Sequence, residues 1–208
     1  MESIKALEKL INCYGQELVN KILEVSTINE FPKNTQLVRE GQFVKFVPIV
    51  LKGFVKVFIE DNEKQLLLYY IQPNESCIMS FTASLNGEAS KIFAVTQEET
   101  SIILIPSEKL SSWVLEYPKI NHLFYQQFNL RYTEFIKTIH HLLFDNLEKR
   151  LLDYLKEKST LIRNKFIKIS HKEIANDLGT AREVISRLLK KLEHQNIVKQ
   201  HNDSIEIY

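Results

Sequence analysis

The sequence predicts an α+β chain: an all-β barrel or sandwich, then a long helix, then a winged helix-turn-helix. Three observations carry that prediction. From Phe31 to about Ile105, short β-branched and aromatic segments alternate with turn signals at even spacing. From Pro118 to Phe144 neither Gly nor Pro intervenes, and apolar residues recur in steps of three and four. Two short amphipathic segments then meet at Gly179, and a strand–turn–strand pattern closes the chain.

Taken in order, residues 4–25 have helical periodicity and predict a helix or helix pair. The turn signals of the β region are Pro32-Lys33-Asn34, Glu40-Gly41-Gln42, Glu60-Asp61-Asn62, Pro73-Asn74-Glu75 and Leu85-Asn86-Gly87. Its clearest strands are Val55–Ile59, Leu66–Ile71, Phe93–Thr96 and Ser101–Ile105. Pro106-Ser107-Glu108 and Glu116-Tyr117-Pro118 introduce helices. The long helix that follows carries one stripe of Tyr125, Phe128, Tyr132, Phe135, Ile139 and Leu142, the seam of a coiled coil. Leu123, Leu130, Ile136 and Leu143 make a second apolar line, expected to pack on the β domain. Two apolar lines need two partners, and a second copy of the chain is the simplest source of one.

Asp145 or Asn146 caps the next helix, with Glu148 completing a capping box, so a hinge falls there. Leu147, Leu151, Leu152 and Leu155 give that helix an apolar face. Phe166–Ile169 reads as a strand. Ser170 stands three residues before Glu173, and Thr180 three before Glu183, so each helix of the helix-turn-helix is expected to open on its own capping box. Ile174, Ala175 and Leu178 form the inner face of the first helix. Val184, Ile185, Leu188, Leu189 and Leu192 form that of the second. Gly179 sits where the chain turns with a backbone angle that glycine adopts at little cost. Ile197–Gln200, a turn at His201-Asn202-Asp203, and Ser204–Tyr208 make the hairpin of a wing. Domains are expected at 1–117, 118–145 and 146–208.

The longest apolar run, Leu66–Ile71, is far too short to cross a bilayer, and the N-terminus lacks a secretory apolar stretch, so a cytoplasmic protein is expected. Cys13 and Cys77 are too far apart and too few for a four-thiolate centre, which leaves two reduced thiols. Five glycines with no G-x-G pair exclude a dinucleotide fingerprint and a phosphate loop. With no nucleophile–base pair or metal-ligand cluster either, no enzyme, cofactor or metal is expected. Net charge is only +1, but its distribution is uneven. Residues 1–145 hold 14 Lys/Arg against 17 Asp/Glu, or −3; residues 146–208 hold 13 against 9, or +4. Basic charge therefore gathers in the segment with the helix-turn-helix, as phosphate neutralisation requires.

The order of elements, with Leu178–Leu192 (Leu-Gly-Thr-Ala-Arg-Glu-Val-Ile-Ser-Arg-Leu-Leu-Lys-Lys-Leu) and Leu51–Phe58 (Leu-Lys-Gly-Phe-Val-Lys-Val-Phe), resembles the cyclic-AMP receptor protein / fumarate-nitrate-reduction regulator (CRP/FNR) family of bacterial transcription factors. The resemblance implies that the β region is a cyclic-nucleotide-binding-like jelly roll (β-roll) and that the chain is a homodimeric regulator binding double-stranded DNA, with RNA polymerase as a partner. It puts base reading on Arg182, Glu183, Ser186 and Arg187. An Arg can bond guanine O6 and N7 bidentately, and a Glu can accept from cytosine N4. Relatives that read TGTGA-type half-sites have Arg at the Arg182 position, and those that read TTGAT-type half-sites have Ser at the Ser186 position. A palindromic operator with TGA-containing half-sites is the joint expectation. Thr180, His171 and Lys190 are assigned to phosphates.

The sensor half departs from the family pattern. Ile78 and Met79 stand where nucleotide-binding relatives have Gly-Glu on the ribose, and no Arg follows Gly87-Glu88 to hold a cyclic phosphate. Phe135 and Ile136 replace the adenine-facing hydroxyls. Cyclic AMP is therefore not the expected effector. Any unknown small-molecule effector would meet Cys77, Met79, Ser80, Lys91, Phe135 and Ile136. A ligand-binding or interaction module without specific DNA binding is the alternative.

Overall fold

The computed structural model describes residues 15–61 and 64–208, together with Glu8 and Asn12. Residues 4–7, 9–11, 13 and 14 of the N-terminal helical stretch, Cys13 among them, and the tip of the Glu60-Asp61-Asn62 turn thus lie outside the described residues. The chain divides into two compact units, Met1–Ile59 with Leu68–Phe135, and Glu60–Leu67 with Ile136–Tyr208, so the division falls inside the long helix.

The first unit begins with helix α1 (Gln16–Val25). Strands β1 (Thr27–Phe31), β2 (Gln36–Val38), β3 (Phe46–Lys52), β4 (Val55–Asp61) and β5 (Lys64–Ile71) follow, then α2 (Ile78–Asn86), β6 (Phe93–Thr96) and β7 (Thr100–Pro106). Helix α3 (Ser107–Glu116) leads into α4 (Pro118–Phe144). One sheet has the order β1-β7-β3 and the other β2-β6-β4-β5. The period-2 alternation of side chains assigns each face of the first sheet its own core. Val47, Ile49 and Leu51 of β3, with Ile103 and Ile105 of β7, pack with Leu18, Phe81, Leu110, Trp113, Ile120 and Phe124 from the helices. Val50 and Ile102, on the opposite face, join Val55, Val57, Ile71 and Ala94 of the other sheet, with Ile92 just before β6. Gly53 makes the β3–β4 turn possible: its φ is +75°, and a Cβ there would sit 2.7 Å from the Glu99 carbonyl oxygen and the Thr100 hydroxyl.

Helix α4 keeps its expected span, but its packed face is not the expected one. Among the described residues of α4, Ile120, Phe124, Gln127 and Arg131 are buried, in steps of four, three and four. Leu130 and Ile136 are exposed, and the side chains of Leu123 and Leu143 lie outside the described set. The reason is an arginine that finds internal partners. Arg131, 6% exposed, donates through Nη1 to the Tyr70 carbonyl at 3.2 Å and to Glu134 at 2.7 Å, and through Nη2 to Glu75. Its guanidinium also lies 4.4 Å from the Tyr69 ring centroid. Burial works against that charge, but Glu75 and Glu134 outweigh it and keep the Arg131 pKa raised.

The second unit holds α5 (Leu147–Ile162), β8 (Phe166–Ile167), α6 (His171–Asp177), α7 (Arg182–His194), β9 (Val198–Gln200) and β10 (Ile205–Ile207). Its sheet has the order β8-β10-β9. Asn146, of the two candidates, caps α5: its side chain accepts from the Lys149 N–H at 2.9 Å. Leu151, Leu155, Ile167, Ile174, Ile185, Leu189, Leu192, Val198 and Ile205 form the core. Tyr154 on α5 donates to the buried Asp177 carboxylate on α6 at 2.7 Å, which satisfies that charge inside the unit.

Candidate DNA-binding surface

The first helix of the helix-turn-helix starts as expected. Ser170 Oγ accepts from the Glu173 N–H at 3.1 Å. Gly179 then takes φ +64°, and the Thr180 N–H returns to the Ala175 carbonyl at 2.9 Å. The second capping box is a correction. Ala181, with φ −87° and ψ 146°, is the N-cap of α7, and no side chain bonds the first turn. The turn leaves helical geometry one residue later than the box requires, so the Thr180 hydroxyl is out of register with the α7 N–H groups. Glu183 still places a carboxylate in the first turn, where the helix dipole favours it.

Helix α7 is two-faced. Ile185, Leu189 and Leu192 are buried, while Arg182, Glu183, Arg187 and Lys190 are exposed and Ser186 is half-buried beside them. The latter five line one open groove. Their spacing of one, three and four residues puts them on a single helical face. Ser186 is held from two sides: its hydroxyl donates to the Arg182 carbonyl at 3.1 Å, and its oxygen lies 2.9 Å from His171 Nδ1 at the start of α6. His171 and Thr180, assigned to phosphates, are half-buried, and Lys190 is exposed. Lys191, absent from the expected set, pairs with Glu148 of α5. The His171–Ser186 contact spans 15 residues and has no signature in a linear motif.

The wing is tied to the end of α7 by carboxylates. Glu193 accepts from the Gln200 N–H at 2.7 Å and from the Gln200 side-chain amide at 2.9 Å, and these bonds hold its pKa below the usual range. Glu206 is lowered in the same way, first by Lys165 at 2.6 Å and then by His201 at 3.1 Å. The turn at 201–203 closes through the His201 N–H and the Ser204 carbonyl at 2.8 Å.

The other expected sets fare differently. Tyr125, Phe128, Tyr132, Phe135 and Ile139 are all exposed, Tyr125 at 74%, as an unpaired seam would be; the Leu142 side chain is outside the described residues. Cys77, Met79 and Ser80 are brought together at the start of α2, where the Cys77 sulfur accepts from the Ser80 N–H at 3.4 Å. Lys91 is exposed, 3.6 Å from Glu88, and Phe135 and Ile136 are exposed on α4. The polar side chains that α4 does bury, Gln127 and Arg131, were not expected. Among the described residues no group of three or more His, Cys, Asp or Glu could hold a metal ion, and no helix is long and apolar enough to cross a membrane.

Residues 147–208 match the Crp-like helix-turn-helix domain family. Over 188 residues the chain is 24% identical to the cAMP-activated global transcriptional regulator CRP of Salmonella typhimurium, covering 87% of this chain and 89% of that protein. Its fold is similar to that of a transcriptional regulator of the Crp/Fnr family from Eubacterium rectale, with a TM-score of 0.84 at 21% identity over 95% of this chain and 92% of the other. It is also similar to the c-di-GMP-responsive global regulator CLP of Xanthomonas campestris, with a TM-score of 0.82 at 20% identity over 92% and 98%.

Proposed function

We propose that the chain is a CRP/FNR-family DNA-binding transcription regulator that acts as a cytoplasmic homodimer on a palindromic operator with TGA-containing half-sites. The observation that carries this reading is the two-faced α7, with Arg182, Glu183, Ser186 and Arg187 on one side and the buried Ile185, Leu189 and Leu192 on the other. Arg187 and Arg182 supply the forks that suit guanine, and Glu183 the acceptor that suits cytosine N4. Thr180 and Lys190 flank them as phosphate contacts, and His171 lies against Ser186.

Two-fold symmetry would place the half-sites about one helical turn apart, roughly 34–36 Å. The exposed seam of α4 supports the dimer. Pairing would bury aromatic rings that a lone chain leaves in water, each worth about 1.5–3 kcal/mol when fully covered. RNA polymerase is the proposed partner at the promoter.

We further propose that cyclic AMP is not the effector. Lys91 is committed to solvent beside Glu88, Phe135 and Ile136 offer no hydroxyl, and the α4 guanidinium is already paired with two carboxylates. If an effector exists, Cys77, Met79 and Ser80 remain its candidate contacts.

The test is a gel shift of the full chain on duplexes selected from a random pool, at several salt concentrations. Arg187→Ala is expected to abolish preference for the selected sequence while weak, salt-sensitive binding persists. Equal loss on matched and scrambled duplexes would remove the case for base reading. Cyclic AMP should leave the melting temperature unchanged; a rise with concentration would make it a ligand.

A further inference from the structure

We infer that His171 is a positioning residue for base readout, fixing the Ser186 hydroxyl as a hydrogen-bond acceptor toward DNA; this rests on the base-reading role proposed for α7. A serine hydroxyl has one hydrogen and two lone pairs. We assign that hydrogen to the Arg182 carbonyl, 3.1 Å away within the helix. With that assignment, the imidazole is the donor in the 2.9 Å contact between His171 Nδ1 and Ser186 Oγ. Nδ1–H fills one lone pair and leaves the other for the groove.

The consequence is chemical selectivity. An acceptor in the major groove meets a donor, and the base-edge donors there are adenine N6 and cytosine N4; thymine O4 and guanine O6 are acceptors and would repel it. Ser186 thereby favours an amino base over a keto base on the strand it faces. A serine without His171 could turn its hydrogen outward and accept either class. His171 removes that freedom from the first residue of the neighbouring helix α6, without reaching the base itself.

This role differs from a phosphate contact in what its loss does. Losing a phosphate contact weakens all sequences alike and lowers the salt slope by about one. Losing the positioning bond relaxes choice at one base pair and leaves the rest. The experiment uses the full-length protein and duplexes selected by it from a pool randomised over the half-site. Ser186→Ala identifies the base pair that Ser186 faces, as the position where preference disappears. At that position the wild type should bind adenine or cytosine about three- to ten-fold more tightly than guanine or thymine, the worth of one hydrogen bond. His171→Ala should lose most of that ratio at the same position and no other. His171→Asn, which keeps an N–H donor near the Nδ1 position, should restore it. The double variant H171A/S186A should be no less selective than S186A alone, because both remove one interaction.

Three results would overturn the inference: a wild-type preference for guanine or thymine at the Ser186 position, a uniform loss on all four duplexes with H171A, or additive losses in the double variant. A wild type that selects no sequence at all would instead sink the base-reading role, and the positioning role with it. A selected sequence lost in Arg187→Ala but unchanged in H171A would sink the positioning role alone.

Discussion

In the C-terminal unit α7 keeps its guanidinium groups, Arg182 and Arg187, in solvent above a core of Ile185, Leu189 and Leu192. In the N-terminal unit α4 turns Arg131 inward, onto Glu75, Glu134 and the Tyr69 ring, and leaves its aromatic seam outside. The same side chain thus does opposite work in the two regions. A solvated guanidinium keeps its donors available for phosphate or guanine, and costs nothing until a partner arrives. A buried one has spent its donors on the fold, since an unpaired buried charge would cost several kcal/mol. The N-terminal unit thus has an internally neutralised helix face.

The sharpest way to break that comparison is to remove the buried charge. Arg131→Met should cost about 3–5 kcal/mol, because Glu75 and Glu134 are left partly buried without their cation. Adding Glu75→Gln and Glu134→Gln should recover most of the loss in urea denaturation. If Arg131→Met alone is neutral, the arginine is not committed to the fold. Arg182→Met, by contrast, should leave stability unchanged.

Next in size is Leu189→Ala, which empties a fully buried site beneath α7 and should cost about 2–5 kcal/mol. DNA binding should fall with it at temperatures where the C-terminal unit melts. An unchanged melting curve would mean the apolar face of α7 does not support the arginines above it.

A smaller contrast separates the two helices of the helix-turn-helix. Ser170→Ala removes a cap seen in the structure and should cost about 1 kcal/mol. Thr180→Ala removes no α7 cap and should cost well under that. Matching losses in thermal melts would restore the second capping box.

The smallest effect is in the wing. Glu193 and Glu206 have lowered folded-state pKa values, so their contribution is present at neutral pH, above the carboxylate range of the unfolded chain. It fades as pH falls through that range toward the lowered folded values. Amide exchange in β9 and β10 should therefore quicken as pH falls from about 6 to 4, after correction for intrinsic rates, relative to α5. Glu193→Gln should flatten that dependence, and an identical profile in the variant would count against it.

The helix-turn-helix was legible because its signals are local. Ser170 with Glu173, Gly179 and the steps of three and four in α7 each act within one or two helical turns. The same locality misled at Thr180, where a capping pattern was present but the turn ended one residue later. Helix α2 gave little warning: Ile-Met-Ser-Phe-Thr-Ala-Ser-Leu-Asn has no polar face, and its cap is a cysteine. The packed line of α4 was misassigned for a different reason. A rule that sends apolar residues inward chose Leu130 and Ile136 over Gln127 and Arg131, because nothing near Arg131 in sequence reveals Glu75. A clue was available in the unbroken spacing of Ile120, Phe124, Gln127, Arg131 and Glu134.

Sequence alone determined the order of β region, long helix and helix-turn-helix, the span of α4, the turn at Gly179 and the outward set on α7. All of these follow from backbone preferences and periodicities that act over a few residues. Tertiary structure decided which face of α4 is buried, and that His171 meets Ser186. Those outcomes depend on pairings between distant segments, 56 residues apart for Arg131 and Glu75 and 15 for His171 and Ser186. Burying a charge or orienting a hydroxyl is favourable only once the partner has been brought within hydrogen-bonding distance, and only the folded chain brings it there.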